Sequence, residues 1–114
     1  MKKLASVFAI LLLVLSTAVF AEEHLDAALE HANAAVAEGQ AGKAQSLATH
    51  AKAALDHSLA ASLVAKSVSK NHIDAASKSL QEAIDHGNLS HVEPATKSAL
   101  EGAAHLKAAK AGTK

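Results

Sequence analysis

The sequence predicts an all-α protein, an antiparallel up-down four-helix bundle made of two tandem helical hairpins. Alanine is abundant and Pro94 is the only proline, so helix propensity is high throughout and no stretch alternates with a period of two. The chain also repeats itself: residues 24–28 (HLDAA) recur as residues 72–76 (HIDAA), and Gly39 recurs as Gly87, at an offset of 48 residues. Two such units favour paired hairpins over the alternative, a piece of a helical solenoid, which needs more repeats.

The N-terminus has the pattern of a secretory signal peptide, predicted at residues 1–21. Two lysines follow the first methionine, residues 7–15 are almost purely apolar, and small residues precede the end of the segment. Cleavage is expected after Ala21, with Ala18 as the alternative site. The competing interpretation is a retained N-terminal anchor, but the apolar run is short for a membrane span. Removal leaves residues 22–114, one periplasmic domain of 93 residues.

The first helix of that domain is expected at about residues 23–38, with Gly39 as the residue that ends it. The second helix begins near Lys43, and its pattern can continue as far as Val68. Apolar residues recur in both at spacings of three and four, which predicts one buried face for each helix. The predicted core positions are Leu25, Leu29, Ala32, Val36, Leu47, Ala51, Ala54 and Leu55.

The third helix is expected to start at Asn71 as its N-cap and to close at residues 87–88. Ser90 is the predicted N-cap of the fourth helix, and Pro94 falls in its first turn, where proline is tolerated. Residues from about Ala109 are expected to form a frayed tail. The predicted core positions are Ile73, Ala76, Leu80, Ile84, Val92, Ala99, Ala103 and Leu106.

Composition excludes several classes of function. Residues 22–114 contain nine lysines, no arginine and eleven acidic residues, so their net charge does not favour nucleic-acid binding. No cysteine is present, which excludes disulfides, thiolate metal sites and covalent haem. The core must be aliphatic, because both phenylalanines lie in the predicted signal peptide. Phosphate loops, nucleophile elbows and the Glu-x-x-His set of di-iron bundles are absent from the sequence, so an enzyme is not expected.

The histidines carry the main functional signal. All 8 fall into four pairs whose members are seven or fourteen residues apart, that is, two or four helical turns. Their angular positions place them all on the same flank of the apolar face, at its partly exposed edge. This arrangement predicts metal binding. The pairs are His24 with His31, His50 with His57, His72 with His86, and His91 with His105.

Geometry restricts how these imidazoles can bind. Residues seven apart on a helix are about 10 Å apart, so one ion with bonds of about 2 Å cannot reach both. The second ligand must come from the same helix one turn away, from a neighbouring helix or from another molecule. Glu82 with His86 and Glu101 with His105 are candidate ligand pairs on the same helix, one turn apart. Each can equally be an ordinary side-chain pair on the helix surface, without a metal. His86 and His91 are the most attractive pair across helices, since a turn joins their segments.

Imidazole and carboxylate ligands suit Cu(II), Ni(II) and Zn(II), and the general affinity order favours copper. Binding requires neutral imidazole and should weaken below about pH 6. The alternative function is a structural or interaction module, a helical periplasmic protein whose histidines have no metal role.

These residues resemble the small metal-binding protein family of periplasmic proteins. The resemblance covers essentially the whole of residues 22–114 and rests on residues 24–39, 49–52 (THAK), 72–87 and 91–106. It implies a monomeric four-helix bundle that binds several copper ions and other divalent metals, among which nickel, zinc and iron are candidates, for copper buffering, storage or tolerance. The family is richer in histidine. Where its pattern places further histidines, this chain has Glu38, Lys43, Ala75, Ser79 and Ser98.

Overall fold

The protein is a four-helix bundle. The computed structural model describes the backbone of residues 2–112 and the side chains of residues 19–112. Within the described chain there are four helices and no strand: α1 (Lys2–Gln40), α2 (Ala44–Ser62), α3 (Ser67–Asn88) and α4 (Val92–Gly112). The predicted fold class and the division into two hairpins, α1–α2 and α3–α4, are confirmed.

The helices are arranged as a square. Each helix packs on the next in the chain, and α4 closes the square by packing on α1, whereas α2 and α4, on one diagonal, touch little. Connections of three or four residues reverse the chain each time, so neighbouring helices are antiparallel. Because α1 and α4 are in contact, the structure is a closed bundle and the solenoid alternative is wrong.

Helix α1 is longer than predicted. It starts at Lys2 and has 39 residues, a length of about 58 Å, whereas the other helices have 19 to 22 residues. The helix runs on through the predicted signal peptide because no proline or glycine occurs before Gly39. Continuity of the helix does not decide whether residues 1–21 are removed, which stays a prediction. Among the described residues, no helix combines the length and the apolar character that crossing a membrane requires.

The two hairpins turn in the same way. After α1, the amide of Gly42 bonds to the carbonyl of Gly39, and the amide of Lys43 bonds to the carbonyl of Glu38. Gly42 has φ +77°, so this is a Schellman ending with Gly42, not the predicted Gly39, in the left-handed position.

After α3 the same two bonds recur 48 residues later. The amide of Ser90 bonds to Gly87, and that of His91 bonds to His86. Ser90 has φ +63°, so it ends α3 and is not the predicted N-cap of α4. The internal duplication seen in the sequence is therefore also a duplication of backbone geometry.

The α2–α3 connection was predicted less well. Helix α2 ends at Ser62, and α3 begins at Ser67, so Asn71 lies inside α3 and is not its N-cap. Leu63 follows the end of α2 and is 86% exposed, so the apolar pattern beyond Ser62 does not mark a buried helix face. The Ser62 hydroxyl donates to Asp74 at 2.6 Å and, assisted by Lys70, holds the pKa of that carboxyl below its usual value. This side-chain network joins α2 and α3 at a connection where the N-cap residue of α3, Lys66, makes no side-chain capping bond.

The C-terminal end of α4 is packed rather than frayed. The helix continues to Gly112, and Ala109 is fully buried. The Ser69 hydroxyl donates to the Ala109 carbonyl at 3.1 Å, and Lys110 pairs with Asp26 of α1. Residues 113–114 of the predicted tail lie outside the described chain.

Alanine dominates the core and brings the helices close together. The largest fully buried side chains are four leucines and one isoleucine, and the rest of the core is mainly alanine. Gly39 marks the closest approach, because a Cβ atom there would overlap Thr96 of α4 and lie 2.7 Å from Leu47 Cδ1 of α2. The aliphatic core predicted from composition is confirmed.

Replacing Gly39 by alanine is expected to destabilise the bundle. Overpacking costs about 1–3 kcal/mol, against a gain of about 1 kcal/mol in helix propensity, so the net loss should be about 1 kcal/mol in urea unfolding. Gly112→Ala is the matched control, since a Cβ there meets only ordinary contacts at 3.8 Å. Equal stability of the two variants would show that the close contact at Gly39 is unimportant.

Candidate metal centre

The two hairpins place histidines opposite one another. Positions equally far from a turn face each other across an antiparallel hairpin, and we call each such facing pair a rung. In the first hairpin the rung farthest from the turn is His24 and His57, with ring centroids 5.1 Å apart. The next is His31 and His50, with centroids 5.9 Å apart.

The second hairpin repeats this arrangement 48 residues later. His72 and His105 form the rung far from the turn, with ring centroids 6.0 Å apart. His86 and His91 flank the turn itself, with centroids 5.9 Å apart. The predicted proximity of His86 and His91 is confirmed, and every histidine in the chain lies beside another.

Two rungs hold other residues. Glu38 and Lys43 occupy the turn rung of the first hairpin, where the second hairpin has His86 and His91. Ser79 and Ser98 occupy the middle rung of the second hairpin, and both serines are buried. The duplicated backbone therefore provides six rungs, of which four are pairs of imidazoles.

The imidazoles lie at the border of the core. Seven of the eight are half-buried, and His91 is exposed. This matches the edge position predicted from their angles on the helices, and it arises because each histidine is next to, not within, the alanine face. Rings in this position can be reached by a dissolved cation while their orientation is restricted by packing.

His24 and His57 are directly hydrogen-bonded. Their Nδ1 atoms are 2.9 Å apart, so one ring donates and the other accepts. Phe20 packs edge-on against His24, with ring centroids 4.2 Å apart. The hydrogen bond requires different tautomers for the two rings, since a neutral imidazole has one protonated and one unprotonated nitrogen.

The Nδ1 atom of His86 is buried without a hydrogen-bond partner. An unpartnered buried polar atom costs about 1–3 kcal/mol. The Schellman ending holds His86 beside His91, so a cation bound between the two rings could satisfy this nitrogen. The donor set at this rung therefore suits a metal ion.

No group of three or more histidine, aspartate or glutamate side chains that could hold one ion occurs in the described part of the chain. The predicted carboxylate ligands Glu82 and Glu101 are exposed, and among the described side chains neither has an ion pair or hydrogen bond with its histidine. Their role as ligands stays a prediction. The described donors thus come in pairs of imidazoles.

Comparison with known protein families yields a match that covers most of the chain. The model of the small metal-binding protein family matches residues 1–109. The chain belongs to this family. The small metal-binding protein family is not a known enzyme family. No curated protein matches this member of the small metal-binding protein family.

The metal-free protein should contain two different histidine tautomers at the rung farthest from the first turn. We expect one of His24 and His57 to carry its proton on Nδ1 and the other on Nε2, as shown by long-range ¹H–¹⁵N correlation spectra at about pH 8, where imidazole is neutral. His57→Ala should change the ring nitrogen shifts of His24. His72 and His105, whose rings are 6.0 Å apart, serve as the control and should not change.

Proton on Nε2 in both rings, with His24 unaffected by His57→Ala, would contradict the hydrogen bond.

Proposed function

We propose that this protein is exported to the periplasm and binds divalent transition metals there, with copper preferred, for buffering, storage or tolerance. The observation that carries the proposal is that all eight histidines lie beside a second imidazole of the same hairpin, at centroid distances of 5.1–6.0 Å. A solvated polar face has no reason to pair its rings in this way. The lysines and apolar run before Ala21 support export.

The donor set suits exchangeable cargo better than a structural ion. Structural zinc sites have four protein ligands, whereas each rung supplies two imidazoles and leaves the remaining positions to water. Such an ion is held less tightly and exchanges with solution, which is what buffering requires. The absence of cysteine in the whole sequence leaves nitrogen and oxygen as the donors.

Copper is supported by the general affinity order of divalent metals. Among the divalent first-row metals, copper binds most tightly to sites built from nitrogen and oxygen ligands, and the described donors of this chain are pairs of imidazoles. Ni(II) and Zn(II) also accept imidazole ligands but bind such sites less tightly.

Removing one rung should remove one binding site. The wild type is expected to bind more than one equivalent of Cu(II), up to one for each of the four imidazole rungs, in equilibrium dialysis at pH 7.5. His86→Ala with His91→Ala should lower the capacity by one. Ser79→Ala with Ser98→Ala is the matched control, at a rung that has no imidazole, and should leave the capacity unchanged.

Absence of saturable Cu(II) binding by the wild type would favour the alternative, a helical interaction module without a metal role.

Copper uptake should fall with acidity. Imidazole binds a proton at about pH 6.5 and loses the lone pair that holds the metal. We therefore expect lower Cu(II) uptake at pH 5 than at pH 7.5 in the same dialysis experiment, and recovery when the pH is restored. Equal uptake at the two pH values would show that the ligands are not imidazoles.

A further inference from the structure

In the first hairpin, a histidine ring of one rung also lies beside a ring of the next rung. In the second hairpin, the two imidazole rungs have no such contact among the described residues. His57 of the rung farthest from the turn also lies beside His31 of the middle rung, with ring centroids 5.8 Å apart and ring planes within 7°. The four imidazoles therefore form one continuous series in the order His24, His57, His31, His50. Each neighbouring pair in this series is as close as the two rings of a rung.

In the second hairpin the series is interrupted. His72 and His86 are fourteen residues apart on α3, a distance of about 21 Å. The middle rung, between the two imidazole rungs, consists of Ser79 on α3 and Ser98 on α4, which are only 8% and 7% exposed. A hydroxyl is a poor ligand for copper or nickel compared with imidazole, so an ion at one rung has no intermediate site on the way to the other.

We propose that the first hairpin transfers a bound divalent ion between its two imidazole rungs without releasing it, through a site formed by His31 and His57. This inference rests on the metal binding proposed above. Besides binding, the first hairpin would therefore move an ion along its length, and the second hairpin would not. The second hairpin holds its ions at two isolated sites.

The transfer is a series of single ligand exchanges. An ion held by His24 and His57 forms a bond to His31 as its bond to His24 breaks, and His57 stays bound. The ion then bonds to His50 as His57 leaves. In each step one metal–nitrogen bond forms and one breaks, and charge and oxidation state do not change. Each neutral ring has one free lone pair, so the intermediate site is available when the hairpin holds one ion and closed when it holds two.

The intermediate site can be tested by itself in the full chain. Replacing every histidine except His31 and His57 by alanine leaves only that site. The matched control keeps His105 alone, and adding Ser79→His to the control rebuilds the equivalent pair in the second hairpin. Zn(II) is the probe, because it is diamagnetic and allows the histidine ring signals to be followed by NMR. Circular dichroism verifies that each variant is folded.

The variant with His31 and His57 is expected to bind one Zn(II) at least about tenfold more tightly than the His105 control, since even outer-shell changes alter metal affinity about 10- to 100-fold. Adding Ser79→His to the control should recover this difference. Affinity equal to that of the single-histidine control would overturn the proposal. If the wild type binds metal and this variant does not, transfer fails while the proposed function stands.

Transfer itself can be measured in the chain with four native histidines in the first hairpin and alanines in the second. With one Zn(II) bound, exchange spectroscopy on the His24 and His50 ring signals reports movement between the rungs. The rate should not change when a weak chelator such as citrate is added, because the ion stays bound to the protein while it moves from one rung to the other. An exchange rate that rises in proportion to the chelator would overturn the proposal.

Discussion

The register of the two helical hairpins determines where every imidazole lies. Each hairpin turns at a single residue in the left-handed region, Gly42 in the first and Ser90 in the second. The Schellman bonds at these turns fix how many residues separate the last position of one helix from the first facing position of the next. Because the helices are antiparallel, a step of seven residues away from the turn on both sides reaches the next facing pair.

The same backbone carries different chemistry in its two copies. The turn rung is an acid and a lysine in the first hairpin and two histidines in the second, although the backbone bonds behind them are equivalent, at 2.9 and 2.8 Å. The middle rung is two histidines in the first hairpin and two serines in the second. In both hairpins the helices continue through these positions and the backbone bonds at the turns are the same, so one duplicated backbone carries imidazoles at some rungs and other side chains at the rest.

Much of the fold follows from the sequence. Apolar spacing predicted four helices, the 48-residue offset predicted two hairpins, and the angles of the histidines predicted their half-buried edge. Short polar residues were misassigned because serine and asparagine suit several roles. Ser90 was expected to start α4 and instead ends α3, while Asn71 was expected to start α3 and lies within it.

The pairing across helices was harder to predict. A stripe of histidines shows which flank of a helix they occupy, but the partner depends on the exact length of the turn, and that depends on which residue adopts the left-handed conformation. The proximity of His86 and His91 could be foreseen because they flank a turn directly. The contact between His31 and His57 depends on how the two side chains lean along their helices, which residue spacing does not determine.

The core of this small metal-binding protein is mainly alanine, and its imidazoles lie along the border of that core. An ion that bridges two helices would stabilise the bundle, because it would bind the folded state in preference to the unfolded chain. In the proposed sites each ion is held by two imidazoles, one from each helix of a hairpin. Pulsed electron paramagnetic resonance of the Cu(II)-loaded protein counts the imidazoles bound to each copper. The structure predicts two for each ion, and a count of one would contradict it.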